Sequence, residues 1–323
     1  MPNLGILCLL PTLFRVQASP FDEPVEGYGT VTGGEASKKV VEVTTTEMSG
    51  PGSLFEALSA GDRIVRFKVG GTFKIVEKQL VVSHPNITID GRDAPAPGVT
   101  ISGGRLLVAT QNIILRNLRF RESKGDAIAI QGENIHVEHC SIAKTGDGGI
   151  DMRGGTEYYK GEVKNCTYAW CIIGPTKKAS LMAKIERASI HHNIFFENAQ
   201  RNPQFNEGGC GDVRNNIVYH WFHEGTDIAE GSVVNVIKNL YLSQGAPKKG
   251  ALQALGQVYA EGNEGNDPKA NQGSAPTPYP EPKVTTQSPL EAANRVLDKA
   301  GCFPRDAHDE RIITQIRANL PSK

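Results

Sequence analysis

The sequence predicts an all-β chain, a right-handed parallel β-helix with an N-terminal capping helix and C-terminal helices packed on the outside. Three observations predict it. Short β-branched runs beside an asparagine or small polar residue recur along the chain, as in "NITIDG", "NIILRNLRF", "NIHVEHCSI", "SIHHNIFF", "DVRNNIVY" and "VNVIKNLYL". Their spacing is regular: Asn86 to Asn112 is 26 residues, Asn112 to Asn134 is 22, and Asn193 to Asn216 and Asn216 to Asn239 are 23 each. That period is too long for an antiparallel meander and leaves no room for a helix between strands, so it describes stacked coils. The 35 glycines and 19 prolines suit a fold with many tight turns. The repeats place the stacked core at about residues 64–243. Asn117, His139, Asn165, Asn193, Asn216 and Asn239 are expected near one corner, their amides satisfying neighbouring coils.

The elements follow in chain order. Residues 1–18, "MPNLGILCLLPTLFRVQA", carry an apolar stretch and small or apolar residues at Val16 and Ala18, and read as a secretory signal peptide. The mature chain, 19–323, reads as a single domain, secreted to the extracellular space or to a periplasm. No other apolar run approaches the roughly 20 residues of a membrane span. The 35 basic residues balance 35 acidic ones, so no large field draws nucleic acid or an anionic membrane, and any polyanion site is local. Beyond the signal lie Cys140, Cys166, Cys171, Cys210 and Cys302, spaced like no zinc site and expected as buried thiols, with one disulfide if the compartment is oxidising.

"SGPGSLFEALSAG" places Ser53 three residues before Glu56, a capping box for a short helix that covers the first coil. After residue 243 the repeat stops, and a Pro/Gly-rich strap, 262–284, runs along the outside. Helices at 288–320 follow, the first with Ser288 as N-cap, Pro289 at its first position, Glu291 completing a box and Gly301 closing it.

Candidate chemistry concentrates in two places. Asp147 and Asp151 frame "DGGID" and Asp126 opens "DAIAI" one coil earlier, so three carboxylates from adjacent coils can meet on one surface; each could equally serve a turn or cap a strand. Glu138, alternating with Val137, is a further candidate for the same groove. Arg201, in "RNPQF", could be a catalytic group, a substrate anchor, or a loop charge paired with Glu197. His191 and His192 read as structural.

The fragments "GYGTVTGG", "SGPGSLFEAL", "PNITIDGRDAP", "NIILRNLRFR", "DAIAI", "VEHCS", "DGGID", "SIHHNIF", "RNPQF" and "RDAHDERI" occur in this order over nearly the whole mature chain. Together they resemble the secreted bacterial and fungal pectate lyases of polysaccharide lyase family 1. The resemblance implies a lyase that cuts polygalacturonate, an acidic plant cell-wall polysaccharide, by β-elimination, and a monomer. It implies Ca2+ bound by Asp126, Asp147 and Asp151, with Arg201 accepting the C5 proton and Pro203 holding the loop. That proton is weakly acidic, so elimination gains from a divalent cation on the uronate carboxylate and from a base held against C5. An arginine is an unusual base and needs burial, neighbouring cations or alkaline pH.

Two departures matter. A second arginine common after the proline is replaced by Gln204 and Asn206, and a lysine of the preceding coil would fall near Ala169. Lys177 and Lys178 lie just beyond and are the expected substitutes, so Pro203, Asn206, Lys177 and Lys178 are the substrate-contacting candidates. Three readings compete with the first: a lyase on another uronan, a glycoside hydrolase using Asp147, Asp151 and Asp227, and a polysaccharide-binding β-helix that has lost catalysis.

Overall fold

The computed structural model describes residues 19–321 apart from 30, 244 and 246; the signal-peptide expectation lies outside them. The chain winds into the expected parallel β-helix. Its first sheet has ten parallel strands, from Val40–Val43 and Arg63–Phe67 through Gln111–Arg116 and Glu186–His191 to Gln257–Glu261. A second path of strands runs from Arg119–Ser123 through Ile194–Phe196 to Glu264–Gly265, and a third from Ile128–Ile130 through Gly148–Arg153, Lys178–Ala183 and Gln204–Asn206 to Leu252–Ala254. The long strand Val99–Val108 joins these two, its first half pairing with Arg119–Ser123 and its second with Ile128–Ile130. The stack therefore runs one coil beyond the expected limit of 243. The strap range is shorter in consequence, since Glu264–Gly265 still pairs with Leu240–Leu242.

Stacking in register turns strand alternation into columns. Val108, Ile130, Met152, Met182, Phe205 and Ile228 are mutual neighbours across six coils and are all fully buried. Each such side chain contributes roughly 1.5–3 kcal/mol of burial. The alternate positions, Asp151, Leu181, Gln204 and Asp227, form a row on the opposite face.

The corners need two different devices, and the single row expected from sequence separates accordingly. Asn86, Asn112, Asn134 and Asn165 enter the first sheet with φ of 54° to 58°, a left-handed conformation that asparagine tolerates. Asn117 and His139 leave the same sheet with φ of 53° and 50°. Asn193, Asn216 and Asn239, one position further on, build a buried ladder: the Nδ2 of Asn193 donates to Asn216 Oδ1, that of Asn216 to Asn239 Oδ1 and that of Asn239 to Asn263 Oδ1, each at 3.0 Å. Each Oδ1 also accepts a backbone N–H from the coil before, such as Asn193 N at 2.9 Å from Asn216 Oδ1.

Two of the three outer faces are covered. Across the first sheet lie an N-terminal segment, where Gly34 N donates to Thr88 Oγ1 (3.1 Å), and a C-terminal segment, where Tyr279 and Asn235 exchange two hydrogen bonds (2.8 and 3.0 Å). The segments meet: Gly27 N donates to Lys283 O (3.0 Å), and the Glu26 carboxylate accepts from Thr285 N and Oγ1 (2.7 and 2.6 Å). Helix α1 (Leu54–Ala57) sits against Val40–Val43, capped by Ser53, whose Oγ accepts from Glu56 N. Helices α2 (Pro289–Lys299) and α3 (Ala307–Ala318) press Val296, Leu297, Ile312 and Ile316 onto Ile172, Ile194, Phe196 and Ile217 of the second path. The third path carries the site.

Candidate active site

A cleft of about 330 Å³ lies on the third path, lined among others by Arg105, Asp126, Gln131, Asp147, Asp151, Arg153, Lys178, Leu181 and Arg201. Its floor is set by Gly148. A Cβ at that position would stand 2.7 Å from Asp151 Oδ1 and 2.9 Å from Asp126 Oδ1, so the glycine makes room for two carboxylates from neighbouring coils. Each is oriented by a backbone N–H: Gly148 N donates to Asp126 Oδ1 and Leu181 N to Asp151 Oδ1, both at 3.0 Å. Burial, and then the like charge of Asp126, pushes the Asp151 carboxyl up to about 7, against the pull of Leu181 N–H and Arg201. A cation between these groups would reverse that balance.

The expected trio does not close as three. Asp147 lines the same cleft but holds Lys178, Nζ to Oδ1 2.6 Å. Among the described residues no three His, Cys, Asp or Glu side chains gather closely enough to hold a metal ion alone. Asp126 and Asp151 do present neighbouring carboxylate oxygens, the ligand type that a hard cation such as calcium takes in flexible geometry. The Asp126 Oδ2 also lies 3.6 Å from Arg105 Nη1, a cation that sequence reasoning overlooked, as it did Arg153. The signal for both was register: Arg153 shares a strand with Asp151, and Arg105 lies on the strand that pairs with Ile128–Ile130, just after Asp126.

Arg201 faces this cluster. Its φ is 65°, and its carbonyl accepts from Ser180 N at 3.0 Å. The turn is fixed by its neighbour: Asn202 accepts from Asn198 Nδ2 (3.0 Å), donates through Nδ2 to Glu224 O (3.0 Å) and donates through its backbone to Gly225 O (3.1 Å). Such bonds offset the roughly 1–3 kcal/mol cost of a non-glycine residue in this conformation. Among the described residues the guanidinium has no hydrogen bond or ion pair, and Glu197 turns instead to Gln315 (3.1 Å) and His220 (3.7 Å).

The other candidates separate. Pro203 is buried, its carbonyl accepting from Asp227 N (2.9 Å). Lys177 is exposed outside the lining, and Asn206 Oδ1 accepts from Glu207 N at 2.7 Å, also outside it. Glu138 is not in the groove. It belongs to the first sheet, hydrogen-bonded to His136 at 3.2 Å and paired with Arg116, and these partners hold its carboxyl below the usual range despite burial. Asp227 accepts from Gln204 Nε2 (2.5 Å). His191 and His192 are buried, their Nδ1 atoms 3.0 Å apart, with His192 stacked on Trp170. The five cysteines among the described residues are free thiols, four of them buried. A larger hollow of about 770 Å³ lies past the last coil, but its aspartate, Asp267, is occupied by the N–H groups of Lys269 and Ala251.

Paired carboxylates and cations thus line a cleft on one outer face of a parallel solenoid. The family model described as right handed beta helix region matches residues 104–264. The protein named "Probable pectate lyase C" of Aspergillus fumigatus is 30% identical over 329 residues, covering 91% of this chain and 76% of that protein. Its namesake from Aspergillus terreus is 29% identical over 98% of this chain and 81% of its own length. Among solved structures, a mutant of Bacillus subtilis pectate lyase superposes with a TM-score of 0.67 at 15% identity (85% of this chain, 95% of that one). The cedar pollen allergen jun a 1 gives 0.66 at 16% identity, covering 82% and 89%. The chain belongs to the pectate lyase family.

Proposed function

We propose that the cleft cleaves 4-linked polygalacturonate by β-elimination, with Arg201 taking the C5 proton. The observation that carries this reading is the pairing pattern. Asp147 is held by Lys178 and Asp126 is approached by Arg105, while the Arg201 guanidinium faces Asp151 with no hydrogen-bond partner among the described residues. A planar group on a turn fixed by Asn202 is held against one face of a sugar lying over Asp151. A pectate lyase solved with a bound hexasaccharide matches this chain with a TM-score of 0.66, and the fold the two share is long enough to seat a chain of several sugars.

Asp126 and Asp151 are the residues that would hold calcium, and the ion would supply positive charge to the uronate carboxylate as negative charge develops at C5. The chain's own groups do the rest. Gly148 N–H and Leu181 N–H hold the two carboxylates in place, Arg201 accepts the proton, and Lys178 keeps Asp147 from adding a third negative charge. The 4-linked oxygen is expelled with the C4–O electron pair and takes a proton from solvent to become a hydroxyl, and the product carries a C4–C5 double bond conjugated with the carboxylate. Secretion and a monomeric state accompany this reading as expectations of the family.

The test is ultraviolet absorbance of the unsaturated product. Polygalacturonate should yield it only with calcium present, highly methylated pectin far less, and Arg201→Ala and Arg201→Lys none, while both variants keep the wild-type fold. Full turnover in Arg201→Ala would refute the assignment of the base, and reducing ends without absorbance would indicate a hydrolase.

A further inference from the structure

Two cations from different coils meet on one side chain beside the cleft. Arg153 Nη2 lies 2.8 Å from Glu207 Oε1, and Lys184 Nζ lies 3.4 Å from Glu207 Oε2. The register explains the reach: Arg153 is aligned with Ala183 and Asn206, so its guanidinium extends over a small alanine toward the turn that carries Glu207. Glu207 sits on an open turn, with φ of 50° and nothing near the following Gly208.

We propose that Arg153 and Lys184 form an anion seat for a uronate carboxylate next to the cleavage site, and that Glu207 is its resting occupant. This rests on the reading of the cleft as a polyuronate site. Arg153 lines the same cleft as Asp151 and Arg201. It stands two residues beyond Asp151 on one strand, so both side chains share a face about 7 Å apart along it, within the span of one sugar and its neighbour. The three groups are 47%, 55% and 32% exposed for Arg153, Lys184 and Glu207. Ion pairs this exposed are worth about 0–1 kcal/mol, so a substrate carboxylate can replace Glu207 at little cost. The seat places a cation near the position where the sequence has only Asn206, two coils away from the residue that supplies it.

The test is calorimetric binding of hexagalacturonate, in calcium, to four proteins in an Arg201→Ala background: the parent and its Arg153→Gln, Lys184→Gln and Glu207→Gln derivatives. Arg153→Gln and Lys184→Gln should weaken binding about three- to tenfold, and Glu207→Gln should tighten it about two- to threefold, effects on the scale of single exposed charges. A structural staple gives the opposite pattern: breaking the same pair from either side shifts affinity in the same direction, or not at all. That result, or no binding by any of the four, overturns the seat. Wild-type product absorbance is read separately, so the predicted order of affinities without any unsaturated product would sink the lyase reading and leave the seat standing.

Discussion

Lys178 and Asp147 form a 2.6 Å ion pair at the rim of the cleft, and that contact decides which carboxylates are at liberty to meet a cation. Releasing Asp147 should therefore strengthen cation binding. Lys178→Gln is expected to tighten calcium binding about three- to tenfold by calorimetry, while Asp147→Asn in the wild-type background changes it little and Asp151→Asn removes it. Equal affinities for Lys178→Gln and wild type would show that the ammonium does not compete.

Gly148 should tolerate no side chain functionally although it tolerates one structurally. The atoms that a new Cβ would meet at 2.7 and 2.9 Å are carboxylate oxygens, not backbone, and the strand conformation there is open to any residue. Gly148→Ala should keep its thermal midpoint within a few degrees of wild type and lose calcium affinity by about tenfold or more, since Asp126 and Asp151 are driven apart. An alanine variant with unchanged affinity would mean that the two carboxylates do not act together.

Acid should weaken the join between the solenoid and α2. Burial holds both His139 and His192 down to about 4 from 6.5, and both touch the C-terminal region, His139 through Lys299 O (3.0 Å) and His192 through Gln287 Oε1 (2.8 Å). With folded values below the unfolded ones, the unfolded chain binds more protons between those limits. Stability is then complete above about pH 6.5 and falls as pH drops toward 4, by up to about 3 kcal/mol for each histidine. Denaturant titrations at pH 7 and 4.5 should show this loss, and His192→Gln should reduce it; a wild-type midpoint unchanged between the two pH values would contradict it.

The asparagine ladder should be costly to interrupt at its centre. Asn216→Ala removes the acceptor of Asn193 N and Nδ2 and the donor to Ile190 O (2.9 Å) and Asn239 Oδ1, all buried. With one to three kcal/mol for each unsatisfied buried group, a loss of about 3 kcal/mol or more is expected in denaturant unfolding. Asn86→Gly, which keeps the φ of 58° unstrained and removes only the partly exposed bonds to Asp62 and Asn112, should cost less than about 1 kcal/mol. Similar losses at the two sites would place the ladder's value in chain conformation and not in desolvated amides.

The solenoid was legible because period and alternation survive in every coil, whereas the allocation of residues among corners was not. Asn165 and Asn193 look alike in sequence, each opening a β-branched run, yet one supplies a left-handed backbone and the other a buried amide. The coil between Ile150 and Ser180 is 30 residues in register, against 23 for each of the next two, and this insertion defeats a count of positions. The acidic cluster and Arg201 were readable from motif and order. That Asp147 would be held by Lys178, and that Glu138 would face Arg116 on another sheet, depends on which face each strand presents across several coils, information that no local window contains.

Stacked-coil proteins ordinarily behave as one-dimensional chains, in which each repeat knows only its neighbours and the ends fray first. The meeting of Glu26 and Gly27 with Lys283 and Thr285 changes that connectivity, because residues more than 250 positions apart clasp across the first sheet while Glu281 and Thr286 reach Arg214 beneath. The linear array becomes a closed circuit. Loss of the last forty residues would then loosen the middle of the stack as well as its tail, and partial unfolding from either terminus would carry the entropic burden of opening the clasp before any coil is freed.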